Sequence, residues 1–498
     1  MQLKRLTAAM AVTGALALSL GIGAAHTAPA KNVILFISDG ASWGTWDMAS
    51  YWEYGQKGMQ PYDSFPVKLG MTTYPLNTSS TPTFDDTPMV SYDPSKAWST
   101  NPNSGSYGGR PSYFDGYDYI KRNYPDSAAA GTAIATGKKT YNNAIDWSNQ
   151  NEPMRYITQD AKALGKATGS ISSVPFSHAT PAVFGAQNVS RNNYGAISEM
   201  MINNPDLDLI MGAGHPWYDN NGLARSTASY NYMSATAWST LNSATSPRAF
   251  YQTKADFESL ANGSLNITGP AIFIPQVNAT LQYNRTGVHG TDPNNPSGIA
   301  FNPNVPTLEM MTRGAINYLS QNRDGFFLMV EGGAVDWAAH ANDTARIIEE
   351  QMDFNAAVKA AVLWVETNSS WDETLMIVLT DHGNGMPMGP NSDTIPFEPI
   401  QNNGKGVLPG VKWHYGTHTN ENTLFFAKGA GAELFYNYVR GTDPGLVNVL
   451  GFNDGRYIDN TDVYHVMNAA MVPEPESYAM MLAGLGLLGW MVRRRKQS

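Results

Sequence analysis

Two adjacent residues, Asp126 and Ser127, stand immediately before a run of small residues that favours a helix. The first turn of a helix has unpaired backbone N–H groups and a partial positive charge, so Ser127 could meet an anionic group there as a nucleophile. In most proteins, however, an Asp-Ser pair before a helix is only an N-cap. The other chemistry-bearing residues must decide between these interpretations.

Acidic and imidazole side chains follow four apolar segments of the chain. They are Asp39 after 33–37, His178 after 168–174, Glu331 after 326–330, and Asp381 with His382 after 375–379. Near-continuous apolar runs are typical of strands buried on both faces of a parallel sheet. Ligand sites of such sheets lie beyond the carboxyl ends of the strands, so these side chains are expected to share one edge.

Further ligand types lie close to these positions in the sequence. Asp336 and His340 have a spacing of four, which puts a carboxylate and an imidazole on one face of a helical turn, and His418 lies in the segment 416–419. Each group alone also suits a salt bridge or a strand cap. Four acids and three histidines at element ends, in a chain with nine histidines, indicate a metal centre instead.

Composition excludes several other classes. The 498-residue chain has a net charge of −10 and 15% charged residues, so it has no basic surface for nucleic-acid binding. Cysteine is absent, which excludes disulfides, thiolate nucleophiles and zinc-thiolate sites. Any metal centre must therefore use nitrogen and oxygen ligands.

The first 30 residues are typical of a secretory signal peptide. Lys4 and Arg5 precede an apolar run over 6–22, and small residues follow. The small residues predict cleavage after Ala30, with Ala25 as the second choice. An uncleaved anchor is the alternative.

The other end, 472–498, has a different organisation. Val-Pro-Glu-Pro-Glu at 472–476 precedes an apolar segment over 478–492, and three arginines and a lysine follow. This tail resembles the PEP-CTERM sorting signal of Gram-negative bacteria, which implies a transient membrane anchor removed by an exosortase. The resemblance predicts export to the periplasm, cell surface or extracellular matrix. A permanent single-span anchor is the alternative.

Between these termini, residues 31–471 alternate apolar segments with helical patterns, the clearest over 344–366. The alternation predicts a doubly wound α/β fold with a mainly parallel central sheet flanked by helices. Two stretches, about 43–123 and 217–304, are rich in aromatic, Asn, Ser, Gly and Pro residues. They are interpreted as loop insertions over the sheet.

The chemistry-bearing motifs together resemble the alkaline phosphatase family, in order and in compatible spacing. They are Asp39-Gly40, Asp126-Ser127-Ala128-Ala129, His178-Ala179-Thr180-Pro181, Ser190-Arg191, Val330-Glu331-Gly332, Asp336 with His340, Thr380-Asp381-His382, and His418-Thr419. The resemblance covers 32–429. It implies a secreted hydrolase of phosphate monoesters that works at alkaline pH, and it is compatible with a homodimer.

The resemblance also implies a role for each motif residue. The implied metal ligands are Asp336, His340 and His418 for one Zn²⁺, Asp39, Asp381, His382 and Ser127 for a second Zn²⁺, and Asp39, Thr180 and Glu331 for Mg²⁺. Ser127 would form a phosphoserine intermediate, and Arg191 would hold two phosphate oxygens with its planar fork. His414 lies four residues before His418, but the apolar segment 424–427 matches the family pattern behind His418.

Two positions near the implied phosphate site depart from some family members. His178 replaces an aspartate, so the third site is expected to bind Mg²⁺ more weakly or to admit zinc. Trp337 replaces a basic residue, which removes a cation next to the phosphate. The same two residues look like those of some marine bacterial members, so activity is expected to survive.

Two alternative functions remain compatible with the sequence. A phosphodiesterase of the same superfamily would use the same fold and metals, although Ser127 and Arg191 favour monoesters. A non-catalytic surface or matrix binding protein would have kept the fold without the chemistry. The residues after Ser127 lack the Cys/Ser-x-Pro-x-Arg pattern of sulfatases.

Overall fold

The computed structural model describes residues 29–472 except 289, 291, 293 and 294. The predicted signal peptide and sorting tail therefore lie almost entirely outside the described residues. Among the described residues, no helix has the length together with the apolar composition that a bilayer-spanning segment needs.

Ala30, the last residue of the predicted signal peptide, lies within the described residues. It is buried, its N–H donates to the Ala470 carbonyl at 2.7 Å, and its carbonyl accepts from Lys166 Nζ at 3.1 Å. Cleavage after Ala30 would remove these contacts, whereas the second-choice boundary at Ala25 would keep them. The cleavage site stays a prediction.

Seventeen strands are present in the described residues. They are β1 Asn32–Ile37, β2 Val67–Thr72, β3 Pro102–Tyr107, β4 Arg110–Phe114, β5 Ala167–Pro175, β6 Leu209–Ala213, β7 Ala249–Tyr251, β8 Ala271–Phe273, β9 Phe326–Glu331, β10 Thr374–Leu379, β11 Gly383–Asn384, β12 Pro387–Met388, β13 Lys412–Trp413, β14 His418–Thr419, β15 Thr423–Gly429, β16 Gly441–Thr442 and β17 Arg456–Asp459.

Fourteen α-helices accompany them in the described residues. They are α1 Trp43–Tyr54, α2 Pro94–Ala97, α3 Asp115–Ile120, α4 Ser127–Thr136, α5 Ile157–Ala163, α6 Ala179–Ala182, α7 Tyr194–Asn203, α8 Ala235–Leu241, α9 Lys254–Ala261, α10 Leu308–Leu319, α11 Ala334–His340, α12 Thr344–Asn368, α13 Pro444–Asn448 and α14 Thr461–Met471. Pro61–Ser64 and Ala432–Tyr438 are 3-10 helices.

Eleven strands form the central sheet in the order β16-β17-β2-β15-β10-β1-β9-β5-β6-β8-β7. The seven strands from β10 to β7 are parallel, and β15 runs antiparallel to both β10 and β2. The four apolar segments of the sequence are β1, β5, β9 and β10, which are adjacent in this sheet. The predicted mainly parallel α/β fold is therefore confirmed.

Both faces of the sheet are covered, which explains the uninterrupted apolar runs. Ile34 and Phe36 of β1 pack into a core with α1, α10 and α12 on one face. Leu35 and Ile37 pack into a second core with α4, α5 and α14 on the other. Every residue of β1 is thus buried, as in other parallel sheets between helical layers.

The two stretches interpreted as loop insertions need correction. Within 43–123, α1 is a helix of the core and β2 is an interior strand of the sheet, and within 217–304, β7 and β8 form the far edge of the sheet. Strand β2 carries Lys68 and Gly70, which hide its apolar character. A Cβ at Gly70 would lie 2.5 Å from Leu446 and from Asn422, so only glycine fits there.

Candidate active site

The carboxyl ends of three adjacent strands bring the predicted acids together. Strand β1 lies between β10 and β9, and Ile37 is in register with both Leu379 and Glu331. Asp39 follows β1 by two residues and Asp381 follows β10 by two residues, so they emerge beside Glu331 at one edge. All three carboxyl groups are buried.

The ligands outside these three strand ends reach the same edge by different routes. Helix α11 starts three residues after β9 and carries Asp336 and His340. Because β15 is antiparallel to β10, its start lies beside the carboxyl end of β10, and His418 precedes that start. His418 also pairs with Asn384 in the short β11–β14 ladder.

Asp39, Asp381 and His382 form one group whose ligand atoms all lie within 4.8 Å of one another. His382 Nε2 is 3.3 Å from Asp381 Oδ2 and 3.6 Å from Asp39 Oδ1. Neither of those two carboxylate oxygens has a hydrogen-bond partner, although both are buried. These are three of the four ligands that the family resemblance implies for the second Zn²⁺.

Asp336 is the centre of a second group. Its two carboxylate oxygens lie 3.3 Å from His418 Nε2 and 3.4 Å from His340 Nε2. The two imidazole nitrogens are 3.1 Å apart. His382 also comes within 4.8 Å of Asp336 and His418, so the two groups adjoin each other.

The orientation of each ligand imidazole is fixed by a backbone carbonyl at its other nitrogen. The Nδ1 atoms of His340, His382 and His418 lie 3.1, 3.3 and 2.9 Å from the carbonyl oxygens of Gly416, Gly383 and Pro125. A proton on Nδ1 would leave the Nε2 lone pair directed at the site. This arrangement is typical of metal-binding histidines.

Ser127 lies between these groups at the first position of α4. Its Oγ is 3.2 Å from His382 Nε2, and the side chain is fully buried. Asp126 is the N-cap, because its carboxylate accepts from Ala129 N at 3.0 Å. The N-cap residue and the predicted nucleophile are thus adjacent in the chain.

Arg191 is positioned by Asp126. Its NH1 donates to Asp126 Oδ2 at 2.9 Å, and the arginine N–H donates to the Asn143 carbonyl at 2.8 Å. Asn143 N in turn donates to Asp126 Oδ1. Asp126 therefore links the guanidinium to the start of α4.

Glu331, Asp39 and Thr180 meet on the β9 side of this site. Thr180 Oγ1 donates to Asp39 Oδ2 at 3.4 Å, and Ser172 Oγ donates to Glu331 Oε2. The other carboxylate oxygen of Glu331 is buried without a partner. An oxygen-only group of this kind suits Mg²⁺.

Burial and mutual repulsion dominate the electrostatics of the carboxyl groups. Burial, with the nearby Asp336, raises the pKa of Asp381 to about 7, and burial raises the pKa of Glu331 to about 8. Burial also raises the pKa of Asp39 well above its ordinary value, with Asp381 adding to the effect.

Asp336 behaves in the opposite way because histidines surround it. Burial opposes its charged form, but His340 and His418 outweigh burial and hold the pKa of Asp336 well below its ordinary value. Burial lowers the pKa of His382 well below its ordinary value, which favours the neutral form that binds metals.

The residues present fit bound divalent cations. Unpartnered oxygens on Asp39, Glu331 and Asp381 are buried at one point, which is costly unless a positive charge satisfies them. The imidazole nitrogens with carboxylates suit Zn²⁺, and the oxygen-only group around Glu331 suits Mg²⁺.

A cavity of about 640 Å³ opens over this site. Arg191 and His178 line it together with the aromatic side chains of Tyr124, Tyr283 and Trp337. The rings of His178 and Trp337 are 5.7 Å apart. Burial, with Arg191 close by, lowers the pKa of His178 to about 3, so this imidazole is neutral.

His414 lies outside both ligand groups. Its Nε2 is 2.6 Å from Ser392 Oγ, and its ring packs against Tyr113 and Tyr117. The preference for His418 over His414 therefore agrees with the geometry.

Sequence reasoning missed the residues that support the ligands. Asn384 Nδ2 donates to Asp336 Oδ1 at 2.6 Å, and Ser172 binds Glu331. Tyr283 reaches the cavity from the stretch that was interpreted as an insertion. Of these three supporting residues, only Asn384 could have been found from the sequence, because it follows His382 by two residues.

The family of the chain follows from comparison with known sequences. The alkaline phosphatase family model matches residues 116–240 and 277–408, just over half of the chain. The chain belongs to the alkaline phosphatase family. A second model, the PEP-CTERM protein-sorting motif, matches residues 472–496.

Curated relatives are bacterial alkaline phosphatases among others. Alkaline phosphatase 4 of Bacillus subtilis (strain 168) is 33% identical over 272 residues, which cover 53% of this chain and 50% of that protein. Alkaline phosphatase of Escherichia coli (strain K12) is 27% identical over 475 residues, which cover 89% of this chain and 86% of that protein. The chain thus spans about half the length of the Bacillus relatives it matches.

Solved structures show the same fold. The alkaline phosphatase from the Antarctic bacterium TAB5 has a TM-score of 0.57 at 20% identity, covering 89% of this chain and 98% of its own. The cold-active alkaline phosphatase from a psychrophilic Shewanella sp. has a TM-score of 0.58 at 21% identity, covering 89% of this chain and all of its own.

Proposed function

We propose that this alkaline phosphatase family member hydrolyses phosphate monoesters through a phosphoserine intermediate on Ser127, with an alkaline pH optimum. One observation carries the proposal. The Ser127 hydroxyl lies 3.2 Å from His382 Nε2, at the junction of two ligand groups and at the amino end of a helix. The serine hydroxyl, the proposed metal-ligand side chains and the N–H groups at the start of the helix are therefore directed at one point.

The proposed cofactors are two Zn²⁺ and one Mg²⁺. Asp336, His340 and His418 would hold one zinc. Asp39, Asp381, His382 and Ser127 would hold the second. Thr180 and Glu331, with Asp39, would hold magnesium. Bound there, the cations would supply Lewis acidity that stabilises the serine alkoxide and the leaving oxygen.

The side chains would perform the remaining steps. Arg191 would bind two phosphate oxygens with the nitrogens that Asp126 leaves available, and Asp126 would keep the guanidinium in place. Ser127 Oγ would attack phosphorus, forming the Ser127 O–P bond as the bond to the alcohol breaks. A water molecule would then attack the phosphoserine, which releases phosphate and restores the hydroxyl.

His178 and Trp337 would shape the rim of the phosphate site. Because His178 is a neutral imidazole, it adds no negative charge to the third site, and we propose weaker magnesium binding there. A variant of the TAB5 enzyme with aspartate in place of a histidine was solved with Mg bound in its M3 site.

The decisive experiment measures release of p-nitrophenol from p-nitrophenyl phosphate at pH 9 with Zn²⁺ and Mg²⁺. We expect turnover by the wild type and background rates for Ser127→Ala and after EDTA treatment. Rapid quenching with radiolabelled phosphate should trap label on the wild type but not on Ser127→Ala. A fully metallated wild type that is inactive on the monoester but cleaves bis-p-nitrophenyl phosphate would instead identify a diesterase.

We further propose that the chain is exported and that an exosortase processes its tail. The match of residues 472–496 to the sorting motif supports this proposal. The signal peptide over 1–30, the catalytic domain over 31–471, a transient membrane anchor and a homodimer remain proposals. Mass spectrometry of the mature protein would locate both processed ends.

A further inference from the structure

A second cavity, of about 380 Å³, lies apart from the phosphatase site and shares no lining residue with it. Helix α12 forms one wall through Glu349, Glu350, Met352 and Asp353. The segment 295–307, which leads into α10, forms the opposite wall.

The ionisable groups around this cavity are unevenly paired. Glu349 is paired with Arg285 at 2.8 Å, with Arg346 3.6 Å away, and it also accepts from Ser297 N. Arg285 directs its other donors at the carbonyls of Gln282, Ile299 and Ala300.

Asp353 accepts backbone N–H bonds from Leu308 and Glu309 at the start of α10. Among the described residues, Arg285 and Arg346 lie beside Glu349, and no ion pair reaches Glu350 or Asp353.

Glu350 has no ion-pair partner among the described residues. Its side chain is 5% exposed, it lines the cavity, and its Oε1 has no hydrogen-bond partner. Asn295, also in the wall and 4% exposed, has an unpartnered carbonyl oxygen as well. Burial raises the pKa of Glu350 to about 8, and Asp353 and Glu349 add to this effect. The wall thus presents buried acceptors that lack a donor.

The rest of the wall indicates what kind of donor fits. Phe301, Pro303, Val305 and Met352 are apolar, and Phe301 is 46% exposed. Lys254, the cation at the rim, donates to the Pro303 carbonyl. Among the described residues, the clusters that could hold a metal ion all lie at the phosphatase site, so these acids do not converge as a metal cage would require.

From this geometry we propose that the cavity binds a small organic ammonium ion. Its charged nitrogen would donate to Glu350 and Asn295, and its apolar substituent would pack against Phe301, Pro303 and Met352. An ammonium group supplies the donors that both oxygens lack, and its positive charge would favour the ionised form of Glu350. The proposal is independent of the phosphatase chemistry.

Isothermal titration of the purified full chain with benzylammonium chloride tests it, with benzyl alcohol as the uncharged probe of the same shape. We expect saturable 1:1 binding of the ammonium and at least tenfold weaker binding of the alcohol. Glu350→Gln should weaken ammonium binding by about tenfold to a hundredfold, as expected for loss of a hydrogen bond to a charged group. Glu366→Gln, an exposed change on the same helix, should leave it unchanged.

Met352→Trp should fill the cavity while leaving Glu350 unchanged in sequence. It should abolish binding, which tests the proposal even if Glu350→Gln fails to fold. Neither variant should alter kcat/KM for p-nitrophenyl phosphate. The proposal would be overturned by equal binding of ammonium and alcohol. It would also be overturned by unchanged ammonium binding in Glu350→Gln or Met352→Trp, or by displacement of the ammonium by stoichiometric Ca²⁺.

Discussion

Removing the metal ions should make the stability of this protein strongly dependent on pH. Asp39, Glu331 and Asp381 each have a buried carboxylate oxygen without a partner, and burial raises the pKa of each group. A chelated protein must either protonate these groups or keep uncompensated charges in its interior. In the unfolded chain these carboxyl groups are in water, so neither protonation nor burial of their charge costs free energy.

The sign of the effect follows from the direction of these pKa shifts. Because the folded carboxyl groups titrate above their unfolded values, these groups bind more protons in the folded chelated protein than in the unfolded chain between about pH 4 and pH 8. Their contribution to stability therefore falls as pH rises through that range. With metals bound, the ionised carboxylates are satisfied, and deprotonation of the histidine ligands favours binding as pH rises.

The magnitude can be worked from Glu331 alone. A pKa that moves from 4.5 to about 8 costs the folded state about 5 kcal/mol when the group is ionised, at roughly 1.4 kcal/mol per unit. A domain of about 440 residues has an unfolding entropy on the order of 0.9 kcal/mol/K, so the Tm should fall by roughly 5 °C. Burial raises the pKa values of Asp381 and Asp39 in the same cluster as well.

Differential scanning calorimetry at pH 5.5, 7 and 9, with EDTA or with Zn²⁺ and Mg²⁺, measures the effect. We expect the Tm difference between the two forms to widen from pH 5.5 to pH 9. Glu331→Gln, which is neutral and nearly isosteric, should flatten the pH dependence of the chelated protein. A chelated wild type whose Tm does not change between pH 5.5 and pH 9 would refute the reasoning.

Three further predictions concern single residues. Asp146 is fully buried at a positive φ of 45°, and both of its carboxylate oxygens lack partners, so Asp146→Gly should stabilise the protein by about 2 kcal/mol in urea unfolding at pH 7. Since burial raises the pKa of Asp146, this gain should grow with pH, and an equal or lower stability of the variant would contradict it. Arg191→Lys should raise the inhibition constant for phosphate by about tenfold. The reason is that a lysine ammonium cannot bind two phosphate oxygens and Asp126 at once, as the planar guanidinium does. An unchanged constant would mean that Arg191 does not hold phosphate. His178→Asp should tighten Mg²⁺ binding by about tenfold in titrations of the zinc-loaded protein, because it replaces a neutral imidazole with an oxygen ligand, and unchanged affinity would separate His178 from the third site.

The sequence alone indicated the family and most of the fold. The runs that form β1, β5, β9 and β10 are apolar throughout because both faces of the sheet are covered, so their period and their terminal acids are visible in the chain. The spacing of Asp336 and His340 likewise needs only helix geometry. Short or polar strands carry no such signal, which is why β2, with Lys68 and Gly70, was interpreted as part of an insertion.

Only the tertiary structure decided how the residues work together. The antiparallel direction of β15 returns His418 to the edge where Asp381 emerges, and no local pattern encodes that direction. Asp126 meets Arg191 across 65 positions of sequence, and Asn384 reaches Asp336 across 48. The lack of an ion-pair partner for Glu350 among the described residues became apparent only after Arg285 and Arg346 were found beside Glu349. Residue types determine which hydrogen bonds and ion pairs a side chain can form. Which partner it meets depends on burial and on strand direction, and both arise only when distant segments of the chain pack together.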